Sequence, residues 1–204
     1  MFVCKFRKKR VYIFQVCKLN KKRGARVQSD YIFKEELQHI LAALMPENRL
    51  ALEVSLYTGL RISDVLSLKT HEIKRRFTIQ EQKTGKRRYV YLSDELLQRM
   101  QHQAGKTYVF PHRLDGKKHR TRQAVWKDLD RAMEYFRIPK KLVVSPHTCR
   151  KVYAVEKFQK RGNLEEVKKL LNHSREGVTM IYAMADVLTE RKLKGNNYSV
   201  IKKK

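Results

Sequence analysis

The chain has 204 residues, within the usual size of one domain, and sets 47 Lys and Arg against 20 Asp and Glu, for a formal net charge of +27 and a pI near 10.2. With 42% hydrophobic residues, ten Tyr, eight Phe and only four Pro, it is too rich in core-forming side chains for a disordered polycation, so a folded basic protein is expected. The charge selects polyanions as partners, nucleic acid first through counterion release at phosphates, but ribosomal, membrane-surface and heparin-type binders share that signal and it names no chemistry.

Residues 1 to 30 carry ten Lys and Arg and a single acid, Asp30, and the run KLNKKRGARVQSD reads as a basic N-terminal arm or linker. A solvated tail explains it as well as an arm that touches DNA. Charge interrupts every apolar run in MFVCKFRKKRVYIFQVCK, so no signal-peptide core is present, and no stretch reaches the roughly 20 apolar residues of a membrane span. Cys4, Cys17 and Cys149 form no CxxC pair and leave one thiol over in any disulfide scheme, which suits a reducing cytosol. A soluble, cytoplasmic protein without a membrane partner is expected.

From residue 31 the pattern changes. FKEELQHILAALM spaces Leu37, Ile40, Leu41 and Leu44 as on a helix, and NRLALEVSLYTGL follows as a helix apolar nearly all round, hence buried, with Gly59 as its break. In RRFTIQEQKTGKRRYVYLSD, Phe77 and Ile79 alternate before Thr84-Gly85, and Tyr89 and Tyr91 after it, which predicts a β-hairpin with lysines at its tip. Helical spacing returns in DELLQRMQHQ, in TRQAVWKDLDRAMEYF with Val125, Leu129, Ala132, Met133 and Phe136, and in PHTCRKVYAVEKFQKRG. It continues through LEEVKKLLNH, with Leu164, Val167, Leu170 and Leu171 on one stripe, and a shorter helix holding Tyr182. The expected fold class is mainly α with a small antiparallel β-sheet (α+β): a domain over 31–204 whose tail, from about 186 to 204, supplies a short helix and strand that dock on a neighbouring protomer or cover the same subunit.

Four places in this frame invite chemistry. In TGLRIS, Arg61 follows a turn glycine beside a buried helix, where a guanidinium is costly unless it faces an anion; pairing with Asp64, three residues on, is the plainer explanation, and both hold if Asp64 orients Arg61. In SPHTCRK, His147 and Arg150 share a helix face, a proton-transferring imidazole beside a phosphate-binding fork, although chance HxxR pairs on a surface are common. Lys83, in QKTGKRRY, lies at the hairpin tip where an ammonium can reach a substrate, or is one solvated lysine among many. In LLNHSREGVTMIYAMAD, Tyr182 lies nine residues after His173. Taken singly, the tyrosine reads as core and the histidine as a helix cap.

The ordered series Arg, Lys, His-x-x-Arg, His, Tyr is more than its parts. LYTGLRISDVLSL, QKTGKRRYVYL, SPHTCRK and LLNHSREGVTMIYA resemble the successive signature boxes of the tyrosine recombinase (phage integrase) family, over about residues 31 to 195. The resemblance implies that Tyr182 is a nucleophile forming a 3′-phosphotyrosyl link to DNA, and that Arg61 and Arg150 clamp the scissile phosphate. It implies further that Lys83, His147 and His173 complete the site and Asp64 supports the first arginine. Such an enzyme is a site-specific recombinase or integrase acting on double-stranded DNA, as a homo-tetramer on its site and with accessory DNA-bending proteins, in the nucleoid of a prokaryotic or viral system. No metal and no cofactor are expected: Glu35-Glu36 and Glu165-Glu166 lie on helix surfaces, and Asp128 and Asp130 diverge, so no carboxylate cluster for divalent cations is evident. Two departures stand out. Lys151 occupies a position where the family often has histidine, and only about thirty residues precede the catalytic pattern where family members add an N-terminal helical domain. A minimal recombinase, a catalytic fragment, or a protein gripping DNA with its basic arm all fit. The competing readings are a type IB topoisomerase-like DNA-relaxing enzyme and a non-catalytic DNA-binding regulator with the same fold.

Overall fold

The computed structural model describes residues 29–136 and 142–194. The basic arm assigned to residues 1 to 30 lies almost wholly outside the described residues, as does the strand expected in the tail. In chain order the elements are α1 (Lys34–Ala42), α2 (Pro46–Thr58), α3 (Ile62–Leu66), a 3-10 turn (Thr70–Glu72), β1 (Arg76–Gln80), β2 (Arg87–Tyr91), α4 (Asp94–Gln103), α5 (Arg122–Tyr135), α6 (Pro146–Arg161), α7 (Leu164–Leu171), α8 (Glu176–Ala183) and α9 (Ala185–Lys194). This is the mainly helical architecture with one two-stranded antiparallel sheet that the spacing predicts.

Helix α2 is the hub, because a helix that is apolar all round is stable only when surrounded. It packs against α1, α3, α4 and α6, and Leu50, Ala51, Leu52, Val54 and Leu56 are all buried. Gly59 ends it in the left-handed region at φ 68°. A Cβ there would fall 2.5 Å from Cδ1 of Tyr153 on α6, so this glycine answers both to backbone conformation and to close helix approach.

The long helix α6 opens with a capping box between Ser145 and Thr148 and Pro146 in its first turn, and it closes at Gly162, also left-handed. Thr148 Oγ1 donates to the Asp30 carbonyl at 3.0 Å. Asp30 in turn exchanges hydrogen bonds with Val143, through its N–H to the Val143 carbonyl at 2.6 Å and its carboxylate from the Val143 N–H at 2.9 Å. The start of the described chain is thereby tied beside the head of α6.

The hairpin forms as expected, and its register shows which face is buried. Phe77 pairs with Val90 and Ile79 with Arg88, so the inward face is Phe77, Ile79, Arg88 and Val90, while Tyr89 and Tyr91 are 70% and 52% exposed. The parity of β2 is set by Arg88, which buries its guanidinium against Glu81 and the backbone carbonyls of Thr58 and Gly59. Outside, Arg75 and Arg76 lie 5.8 Å from the Tyr91 ring centroid, which shields that aromatic by cation–π contact. Residues 104 to 121, where periodicity predicts no element, still fill the core with Val109 and Phe110.

After α6 the chain makes three short helices, α8 packing on α6 and α7 and α9 on α6 and α8. Asn172, at φ 53°, ends α7, so the cap that the sequence offered to His173 is taken by its neighbour. The tail begins as the expected helix, and α9 packs on α6 and α8. Thr189 Oγ1 accepts from the Tyr31 N–H at 2.9 Å, and Gln159 donates to Asp186 at 3.2 Å.

Candidate active site

The residues singled out in the sequence converge where the C-terminal ends of α2 and α7 meet the middle of the fold. Arg150, on the first turns of α6, is the deepest of them at 1% exposed. Its Nη1 donates to the Gly59 carbonyl at 2.6 Å and its Nη2 to the Leu171 carbonyl at 2.5 Å. Both acceptors are helix C-terminal carbonyls, which lack intrahelical donors and carry the negative end of the helix dipole, so a cation is the fitting partner. Burial, then the charges of Arg61 and Arg88, push the Arg150 guanidinium down to about 10, which leaves it charged at neutral pH.

Arg61 is the N-cap residue of α3 and half-buried. Its nearest carboxylate is Glu81, with Nη1 to Oε2 at 2.6 Å, and not Asp64, whose Oδ2 is 3.9 Å away. The simple orienting pair expected from i, i+3 spacing is therefore replaced by a relay. Asp64 Oδ1 accepts the Gln82 N–H at 3.0 Å and fixes the turn that carries Glu81 and Lys83. Glu81 was not singled out from the sequence. It is fully buried, accepts from Thr84 Oγ1 at 2.8 Å and lies 3.6 Å from Arg88 Nη1. Burial alone would raise its pKa, but hydrogen bonds from Arg61 and Thr84 and the field of Arg150 outweigh that and keep it below the ordinary carboxylate value. Asp64 goes the other way, raised by burial first and by the neighbouring Glu81.

Tyr182 sits on α8 with its Oη 3.5 Å from His147 Nδ1. His173 stands edge-on to the Tyr182 ring, centroids 5.1 Å apart, and its Nδ1 meets Thr179 Oγ1 at 3.2 Å. Desolvation, then the positive charge of Arg150 and further cations, pushes His147 down to about 4 and His173 down to about 3. Both imidazoles are thus neutral at pH 7. The Tyr182 phenol is raised by burial, which exceeds the opposing pull of Arg150 and Arg61. Lys83 lies exposed in the turn between the strands, close enough for its charge to act on both imidazoles. Arg122, at the head of α5, adds its charge at His147 and is a second residue that sequence reasoning passed over. Lys151 lies 5.8 Å from the Tyr182 ring centroid and donates to the Ser29 carbonyl, so the departure from the family pattern links the site to the N-terminal segment. Among the described residues no three His, Cys, Asp or Glu side chains gather as a metal-holding group, and no helix is long and apolar enough to cross a membrane.

The assembly offers a pair of guanidiniums, two neutral imidazoles and a phenol within reach of one of them. A model of the phage integrase family matches residues 30–188. A Thermosipho africanus protein named tyrosine recombinase is 30% identical over 164 residues, 75% of this chain and 56% of that protein, so the chain spans about half the length of this relative. Among solved structures, a lambda integrase dimer bound to a COC′ core site has a TM-score of 0.68 at 18% identity, over 91% of this chain and 68% of that one. The catalytic domain of bacteriophage HP1 integrase has a TM-score of 0.56 at 22% identity, over 83% and 96%. These two likenesses establish the fold as that of tyrosine recombinase catalytic domains, and with the match over residues 30–188 the chain belongs to the phage integrase family.

Proposed function

We propose that this chain is a site-specific DNA recombinase that cleaves and rejoins double-stranded DNA through a 3′-phosphotyrosine at Tyr182, without a metal ion. The observation that carries the reading is the Tyr182 hydroxyl 3.5 Å from a neutral imidazole and beside the buried Arg150. Arg150 has five N–H donors and spends two of them on carbonyls, leaving three for a phosphate; Arg61 spends one on Glu81. Together they face the non-bridging oxygens, where negative charge grows as the phosphorus becomes five-coordinate.

In the forward step Tyr182 Oη bonds to phosphorus and the bond to the 5′-oxygen breaks. The phenol proton passes to His147, and Lys83 gives a proton to the departing 5′-oxygen. The phosphodiester energy is kept in the tyrosyl link, so a 5′-hydroxyl from a second duplex can reverse the chemistry and release Tyr182. The functional unit in this reading is a homo-tetramer on DNA, with accessory bending proteins where a site demands them, acting in the nucleoid.

The test is a suicide substrate. Nicked duplexes drawn from DNA flanking the gene are incubated with the protein in EDTA, and a covalent protein–DNA adduct is sought on a denaturing gel. The expected adduct disappears in Tyr182→Phe and persists without divalent cations. Salt-sensitive binding with no adduct on any of these duplexes would favour the non-catalytic regulator, and an adduct that needs Mg²⁺ would end the metal-free mechanism.

A further inference from the structure

We infer that Glu81 is a positioning residue for the arginine pair: its buried carboxylate holds Arg61 directly and, through Arg88 and the Gly59 carbonyl, sets the place of Arg150. The inference deepens the strand-transfer reading and depends on it for its kinetic consequence. Glu81 Oε2 is 2.6 Å from Arg61 Nη1, and its Oε1 is 3.6 Å from Arg88 Nη1. Arg88 Nη1 donates to the Gly59 carbonyl at 3.1 Å and its Nη2 to the Thr58 carbonyl at 2.5 Å. The same Gly59 oxygen receives Arg150 Nη1 at 2.6 Å. One carbonyl thus joins the guanidiniums of Arg88 and Arg150, and one carboxylate joins Arg88 to Arg61.

Electrostatics calls for such a group. Arg61, Arg88 and Arg150 lie within one another's fields, and buried like charges repel strongly where water is scarce. Asp64 is no substitute, since it is 3.9 Å from Arg61 and engaged with the Gln82 N–H. Without the Glu81 charge, Arg61 is left with at most a neutral acceptor and loses the counter-ion that lets it stand near Arg150. An arginine free to swing aligns poorly with a phosphate oxygen, and the loss is felt in the transition state, where those bonds shorten and strengthen. Ground-state DNA affinity, spread over a basic surface, changes little.

The experiment compares wild type with Glu81→Gln and Glu81→Asp on the nicked duplex that traps the wild-type adduct. Loss of one charge-assisted hydrogen bond should slow single-turnover cleavage by about 10- to 100-fold in Glu81→Gln, with DNA affinity changed by less than about threefold. Glu81→Asp, which keeps the charge, should recover part of the rate. A Glu81→Gln rate within about twofold of wild type, or a rate that falls only in step with affinity and melting temperature, would overturn the inference. A second measurement does not need cleavage: ¹⁵N spectra of the arginine Nη groups should show slowed rotation of the Arg61 guanidinium in wild type and free rotation in Glu81→Gln. If wild type forms no adduct, the strand-transfer reading fails separately, and an Arg61 signal unchanged by Glu81→Gln would then refute the positioning role.

Discussion

Gly59 is the point where the fold and the candidate site meet, and Gly59→Ala tests whether they are coupled as the geometry says. The backbone there has φ 68°, which an alanine adopts at a cost, and the new methyl would lie 2.5 Å and 2.6 Å from Cδ1 and Cε1 of Tyr153. The left-handed conformation and the overpacking together should destabilise the fold by about 2–5 kcal/mol. For a domain of this size that is a fall in melting temperature of about 5–15 °C, readable by circular dichroism. The conformational part is intrinsic to residue 59, whereas the clash needs the Tyr153 ring. A Gly59→Ala/Tyr153→Val double variant should therefore show a favourable coupling of at least about 1 kcal/mol against the sum of the singles. The Gly59 carbonyl also anchors Arg88 and Arg150, so any adduct yield should fall further than stability alone explains. A Gly59→Ala protein within about 0.5 kcal/mol of wild type would refute both the clash and the rigidity assigned to this junction.

Further tests reach the same junction from other sides. Arg150→Lys keeps the charge but cannot satisfy both the Gly59 and Leu171 carbonyls, so urea unfolding should show a loss of about 1–3 kcal/mol for the carbonyl left unpaired. Thr148→Val removes the bond to the Asp30 carbonyl and half of the capping box, and limited proteolysis should then cut near residue 30 faster than in wild type, with stability lower by about 1–2 kcal/mol. His173 is held at about 3 against an ordinary 6.5, so the unfolded chain binds the extra proton first. Its contribution is complete above the ordinary value and is lost as pH falls: about 2 kcal/mol of the fall in unfolding free energy between pH 7 and 5 belongs to His173, so His173→Gln should show a fall smaller by that amount, with the share from His147 remaining.

The sequence exposes what is local and periodic. Leu37, Ile40 and Leu41 on α1, and Val125, Leu129 and Ala132 on α5, are buried as their 3.6-residue spacing requires. The boxes around Arg61, Lys83, His147, Arg150, His173 and Tyr182 are visible because their order is unusual even though each alone is ordinary. Glu81 and Arg88 stayed hidden because their partners are far along the chain: Arg61 is twenty residues from Glu81, and Arg88 meets Gly59 across twenty-nine. In QEQKTGKRRY such residues look like the solvated charges of a hairpin tip. A signal existed in parity, since Glu81 follows Ile79 and Arg88 precedes Val90 at the two-residue period of the inward face. The alternation of Tyr89 and Tyr91 marked a strand without saying which face is buried, and Arg88 and Val90 take the inward side.

The proton path sets the final prediction. An oxygen–nitrogen separation of 3.5 Å is too long for a strong hydrogen bond, and burial raises the Tyr182 phenol above its ordinary value, so the nucleophile is not pre-ionised at rest. His147, pushed down to about 4, is neutral but weakly basic while four cations surround it. A bound phosphodiester brings a negative charge among those cations and restores part of the imidazole's basicity as it draws Tyr182 towards phosphorus. The base form of His147 exists above its pKa, so the single-turnover cleavage rate should climb as pH rises from about 4 towards the ordinary histidine value of about 6.5, then stay level to about pH 9. His147→Ala should lower the plateau by about 10²- to 10⁴-fold. If the rate instead rose about tenfold per pH unit through pH 9, hydroxide would be removing the phenol proton before attack, and the imidazole 3.5 Å from Tyr182 would be a neighbour without a part in the transfer.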